Sequence, residues 1–229
     1  MKNINKKLAF VILFSFLGVL ALQISISRII GSTQSFTLFD FFAPTTGLFL
    51  NSIPGAISVM SVKLFDLFFI KQAVDFISFV RLLPLPLAAL YMGTQAKKKS
   101  LIAVLCMILF IVHPIGKQVW TYSLYWLIPI IASFFPKRLF LKALGSTFTA
   151  HAVGSTIFLY SFGLTPKIWL SLIPVVFIER FSFAVGIYAS YFILNFSLNY
   201  VCKLMKFKNI SFLVKKEYLP SKQFLLKYS

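Results

Sequence analysis

The chain has 229 residues, 59% of them hydrophobic and 17% aromatic but only 12% charged, with 28 Phe and a formal net charge of +18. Soluble domains are about half apolar and a quarter charged, so an ordinary globular domain is excluded, and repeated apolar runs speak against the period-two alternation of an outer-membrane barrel. Lys and Arg gather at the ends of apolar runs, not on one interleaved aromatic and basic face, which reads as a topology signal and an attraction to the lipid bilayer, with no nucleic-acid partner.

The basic start and apolar run of MKNINKKLAFVILFSFLGVLALQIS are read as a retained first helix from about Leu8 to Ile26. The run is too long, and lacks the cleavage site, expected of a signal peptide. Ser15, Gly18, Leu22 and Ser25 fall on one face, a small-residue stripe that lets helix backbones approach closely in lipid. Arg28 through Phe36 reads as a polar link.

The next stretch, Phe36 to Phe69, is apolar yet carries Asp40, Asn51, Lys63 and Asp66, and Pro44, Gly47, Pro54 and Gly55 interrupt it. It is expected to split near Asn51–Gly55 into two pieces of roughly fifteen residues, each short of the ~20 needed for a full crossing. Broken, polar backbone at membrane depth is tolerated only where protein or a water-filled cavity satisfies it, so this stretch is the candidate wall of a cavity.

Further spans are expected over Phe76–Met92, Leu101–Gly116, Trp120–Phe135, Leu139–Phe162 and Ile168–Val201, the last broken around Pro174. Basic stops at Lys97–Lys99 and Lys137–Arg138, with the basic N-terminus and tail, fix the parity of crossings if all lie on the cytoplasmic side. The resulting fold class is all-α, a polytopic transmembrane helical bundle with six full spans plus a short broken hairpin, or eight crossings in all. Residues 1–202 form the single membrane domain and 203–229 a basic tail on the inner leaflet, placing the chain in the cell membrane with both termini cytoplasmic.

Ionisable groups inside spans cost several kcal/mol, so each one calls for a partner or a pathway. Glu179 and Arg180 read either as ligand contacts or as a structural ion pair, with Glu179, Ser182, Gly186 and Ser190 along one helical stripe. His151, with Thr147 and Ser155 at i−4 and i+4, reads as a ligand contact or a helix-to-helix hydrogen bond. Asp40 is a helix cap or a ligand contact, with Arg81 as its possible counter-charge. Trp120, Tyr122, Tyr125 and Trp126 are an interfacial belt or an aromatic wall. The candidate ligand-binding set is therefore Asp40, Asn51, Arg81, Trp120, Trp126, Thr147, His151, Glu179 and Arg180. Cys106 and Cys202 lack any pairing or metal-ligand pattern, no soluble-enzyme motif occurs, and neither an enzymatic activity nor a cofactor or metal is expected.

The segment LFDFFAPTTGLFLNSIPGAISVMSVKLFD, with Asp-x-x-x-Pro before a small-residue helix, a Pro-Gly turn and a helix ending in Lys and Asp, resembles the second-to-third helix region of the substrate-binding S components of energy-coupling-factor vitamin transporters. Ala21-x-x-x-Ser25 stands where that family carries Ala-x-x-x-Ala on its first helix. The resemblance covers Leu8 to about Met92. It implies a six-helix subunit that captures a vitamin or cofactor precursor beneath an outer loop. Its implied partners are a transmembrane coupling protein and a pair of cytoplasmic ATPases. The competing reading is a structural or scaffolding membrane protein of the cell-shape type, with no ligand cavity.

Overall fold

The computed structural model describes residues 2–28, 35–71, 75–95, 97–204 and 218. Helices α1 (Lys2–Leu22), α2 (Leu38–Phe42), α3 (Thr46–Leu50), α4 (Ser52–Phe65), α5 (Phe76–Val80), α6 (Pro84–Gly93), α7 (Leu101–Val112), α8 (Pro114–Gln118), α9 (Leu127–Ala132), α10 (Leu139–Ser161) and α11 (Pro166–Leu204) carry almost all of the described chain. Two short antiparallel strands, β1 (Ser25–Arg28) and β2 (Ser35–Thr37), close the first connection. The two ends of the expected polar link thus pair, Arg28 with Ser35 and Ser27 with Phe36, while 29–34 lie outside the described residues. Because α1 stops at Leu22 and Ser25 lies in β1, Ala21 and Ser25 do not share a helical face.

The broken stretch divides at Asn51, the one non-glycine residue with positive φ (76°) among those described. Its two pieces are unequal. On the N-terminal side, α2, a 3-10 turn over Ala43–Thr45 and α3 bend through Pro44, which sits where a missing N–H costs least. On the C-terminal side, α4 passes through Pro54 and Gly55 without a break and continues as a π-helix over Asp66–Lys71. Ser52–Ile70 is therefore 19 residues of apolar helix, longer than the sequence pattern suggests. Phe76–Gly93 and Pro166–Leu198 are likewise long and apolar enough to cross a membrane, and Phe10–Leu22 and Leu38–Leu50 are shorter apolar helices.

Three expected spans take other forms. Leu101–Gly116 breaks at His113, whose Nδ1 accepts the Ile115 N–H and caps α8. Trp120–Phe135 opens with a seven-residue 3-10 segment, Trp120–Trp126, before α9. Helix α11 in turn runs through Pro174 unbroken, with the Tyr125 hydroxyl donating to the Ile173 carbonyl beside it at 2.8 Å.

Glycine contacts bring α3, α4 and α6 together. A side chain at Gly47 would strike the Ala89 carbonyl, one at Gly93 the Ser52 backbone, and one at Gly55 would lie 2.7 Å from the Gly47 backbone. On α10, small polar residues keep their hydrogen bonds local or send them to α6. Thr149 and Thr156 donate to carbonyls one turn back, and Ser146 donates to the Ala88 carbonyl at 2.8 Å. Buried apolar side chains form two clusters, one joining α1 to α4 with the later half of α11, the other joining α7 to α10 with Trp169 and Val176.

Candidate ligand-binding cavity

A cavity of about 260 Å³ lies where the two clusters meet, lined by Leu85 and Ile187 from one and by Tyr122, Trp169 and Val176 from the other. Ser35, Phe36 and Thr37 of the hairpin form one wall. The chain has only five acidic residues, and three of them, Asp40, Asp66 and Glu179, line this space together with Lys63, Arg81 and Arg180.

Each group is held by its element for a local reason. Asp40 closes a capping box at the start of α2, its Oδ2 accepting the Thr37 N–H at 2.7 Å and the Thr37 hydroxyl at 2.8 Å. No ion pair joins it to Arg81 among the described residues; the two share the cavity, not a bond. Asp66 accepts from the Gln23 amide at 3.0 Å. Arg180 is 5% exposed and donates through an η nitrogen to Glu179 at 2.8 Å. Its guanidinium carbon also stands 4.5 Å from the ring centres of both Phe36 and Phe183, a double cation–π contact tying the hairpin to α11. The inward face of α11 therefore runs Val176, Arg180, Phe183, Ile187 and Tyr191, and the expected stripe through Ser182 and Ser190 faces elsewhere, Ser182 being exposed.

His151 is buried on α10 and satisfied at both nitrogens. The Trp126 indole N–H donates to Nδ1 at 3.2 Å, so the imidazole proton resides on Nε2. From there it reaches Tyr122 Oη at 2.9 Å or Ser155 Oγ at 3.1 Å, and Tyr122 and Ser155 lie 3.3 Å apart. The network is neutral and offers hydroxyl protons to the cavity. Two other donors that belong to lining residues, Arg180 Nε and Trp169 Nε1, are buried with no partner. At the hairpin end, Asp75 caps α5 by accepting the Ser78 N–H at 2.8 Å, a contact with Ser78 that holds its carboxyl below the usual range.

Of the nine candidate residues, the structure gathers Asp40, Arg81, Thr147, His151, Glu179 and Arg180 around one space. Trp126 stands one layer behind it, orienting His151. Trp120 is 51% exposed and lies outside the cavity wall, as an interfacial ring does. Asn51 is an exposed turn residue away from the cavity. Sequence reasoning missed Trp169. Its signal was the spacing to Arg180, since residues eleven apart nearly eclipse on a helix. Comparison of the chain with protein-family models, curated protein sequences and solved structures finds no match in any of the three.

Proposed function

We propose that this chain is the membrane-embedded substrate-capture subunit of an energy-coupling-factor type importer, taking up a vitamin or small cofactor precursor. A single observation carries the reading: a chain of +18 places three of its five acidic residues, with three bases, around one 260 Å³ cavity among apolar helices. Ionisable groups at that depth are costly and mark ligand or ion pathways. A purely scaffolding role leaves this lining without a use.

The hairpin wall, anchored by Phe36 on Arg180, supports the role of an outer loop that closes over the captured molecule. The proposed arrangement has eight crossings with both termini cytoplasmic; three helices long and apolar enough to cross, two shorter apolar helices and the basic segments 97–99 and 137–138 support it. Because the chain has no nucleotide-binding motif, uphill uptake draws its energy from a coupling protein and ATPase pair.

Protein purified from its membrane in mild detergent, denatured and extracted, should release a small organic molecule at near-equimolar ratio by mass spectrometry. His151→Ala should lower that ratio severalfold while the protein still elutes as a folded species. An empty protein whose thermal midpoint ignores a panel of vitamins and their precursors would defeat the proposal.

A further inference from the structure

We infer that the captured solute is a one- or two-ring aromatic carboxylate whose acid group is received by Arg81; this rests on the capture role proposed above and narrows it to a ligand class. The cavity lines up three carboxylates with three bases, but these groups differ in what already holds them. Each of its three carboxylates already holds a donor: Thr37 on Asp40, Gln23 on Asp66, Arg180 on Glu179. Among the described residues the Arg81 guanidinium makes no hydrogen bond or ion pair; it lies over the Phe158 ring at 5.7 Å, with the Asp75 carboxylate within electrostatic reach but not bonded to it. A guanidinium offers five N–H groups in a planar fork that matches a carboxylate two bonds at a time. The Trp169 and Arg180 N–H groups, buried without a partner, are two more donors that an anion can meet. An anionic solute completes bonds that these N–H groups lack.

Size and lining set the rest of the molecule. A dry cavity of ~150 Å³ accommodates benzene, so about 260 Å³ suits one ring with substituents or two fused rings. Phe158, Trp169 and Tyr122 present aromatic surface, and Leu82, Leu172 and Val176 present aliphatic surface. That combination favours a flat apolar body. Arg81 sits between α5 and α6 beside Phe158, near the far end of α10, while His151 lies two turns deeper. The acid group is thus held near the rim and the ring system lies inward of it.

The full-length protein in detergent is titrated calorimetrically with three probes of one shape: 2-naphthoate, 2-naphthamide and 2-(aminomethyl)naphthalene. The acid should bind about tenfold or more tightly than the amide, and the amine most weakly, as a charge-assisted pair requires. Arg81→Gln should cut acid affinity about tenfold while moving the amide less than about threefold, and Arg81→Lys should recover part of the loss. If the glutamine variant does not fold, the ranking of probes on the parent protein decides. An amine that binds best, or an acid indifferent to Arg81→Gln, overturns the carboxylate assignment and leaves the capture role standing. If no probe binds, the co-purified molecule decides: an aromatic acid supports the inference, any other molecule overturns it alone, and an empty protein overturns both.

Discussion

Two buried polar side chains illustrate how differently this molecule treats its ionisable groups. His151 is surrounded by Trp126, Tyr122 and Ser155, each bond of ordinary length, so its neutral form costs little to bury. Lys99 is its opposite. It is 2% exposed, its Nζ has no hydrogen-bond partner, and only the Tyr91 ring face 4.6 Å away compensates it. Burial pushes its ammonium down from 10.5 to about 8. Between those two values the unfolded chain binds the proton that the folded chain has released, so stability rises with pH across that window. Below about 8 the full cost of charging stands; above 10.5 it is gone. Lys99→Met should therefore be more stable than the parent at pH 7, by on the order of 1 kcal/mol once solvent screening is allowed for. The margin should shrink as pH climbs from 8 to 10.5. Thermal midpoints in detergent across pH 6 to 10.5 measure this, and a margin that stays constant or widens with pH contradicts it. Sequence alone placed Lys99 in a basic stop and gave no hint of burial, because its cover comes from Tyr91 on the preceding helix. His151 was legible as a polar group at membrane depth, but Trp126 reaches it only through the tertiary packing of the 3-10 segment.

At the scale of elements, the breaks matter more than the helices. Local chemistry made the break in residues 36–69 foreseeable near Asn51–Gly55, and it falls on Asn51, the first residue of that window, with the Pro54–Gly55 pair inside the following helix. Proline in the first turn of a helix loses no intrahelical bond, so Pro54 fits inside α4, and Gly55 is needed there for contact with Gly47. The turn is left to Asn51, at φ 76° and ψ 170°, a region that only glycine enters freely. Such a residue carries ~1–3 kcal/mol of backbone strain. Asn51→Gly should relieve it and stabilise the protein by about 1 kcal/mol after the extra freedom of the unfolded glycine is counted, whereas Asn51→Ala should give no gain. Unfolding midpoints of the two variants settle the matter: a glycine variant no more stable than the alanine one shows that the turn is unstrained. The 101–135 region was misread for a related reason. Its apolar runs satisfy a hydropathy window, but His113–Pro114 and the aromatic 3-10 segment trade regular helix for contact with Phe110 and His151.

For the whole molecule, side-chain pairings along the bundle fix the relative direction of its passes. Phe10 meets Phe49 and Phe14 meets Phe39, so α1 is antiparallel to the α2–α3 pass. Ser146 reaches Ala88 while Arg81 lies over Phe158, so α6 and α10 are antiparallel as well. Trp126 faces His151 and Tyr122 faces Ser155, which returns the 3-10 segment against α10. These pairings put the hairpin, Asp66, Asp75 and the α10–α11 connection at one end, and segments 97–100 and 136–139 at the other. The charges sort the same way. Of 23 Lys and Arg, seven (Arg28, Lys63, Lys71, Arg81, Lys117, Lys167 and Arg180) belong to hairpin-end segments. Of the other sixteen, nine fall at the start of α1 or in 97–99 and 137–142, at the opposite end, and seven follow Val201 in sequence, six of them outside the described residues, while four of the five acids belong to the hairpin half. By the positive-inside rule, this asymmetry favours the proposed orientation, with the basic end in the cytoplasm. In a Cys106→Ser, Cys202→Ser background, Gly163→Cys, at a position with open space around it, should react with a membrane-impermeant maleimide on intact cells. Lys98→Cys, exposed at the opposite end, should react only after the cells are permeabilised. The reverse pattern would turn the molecule over and put the hairpin wall of the cavity in the cytoplasm. Capture from outside would then be impossible, and the importer proposal would fall with the topology.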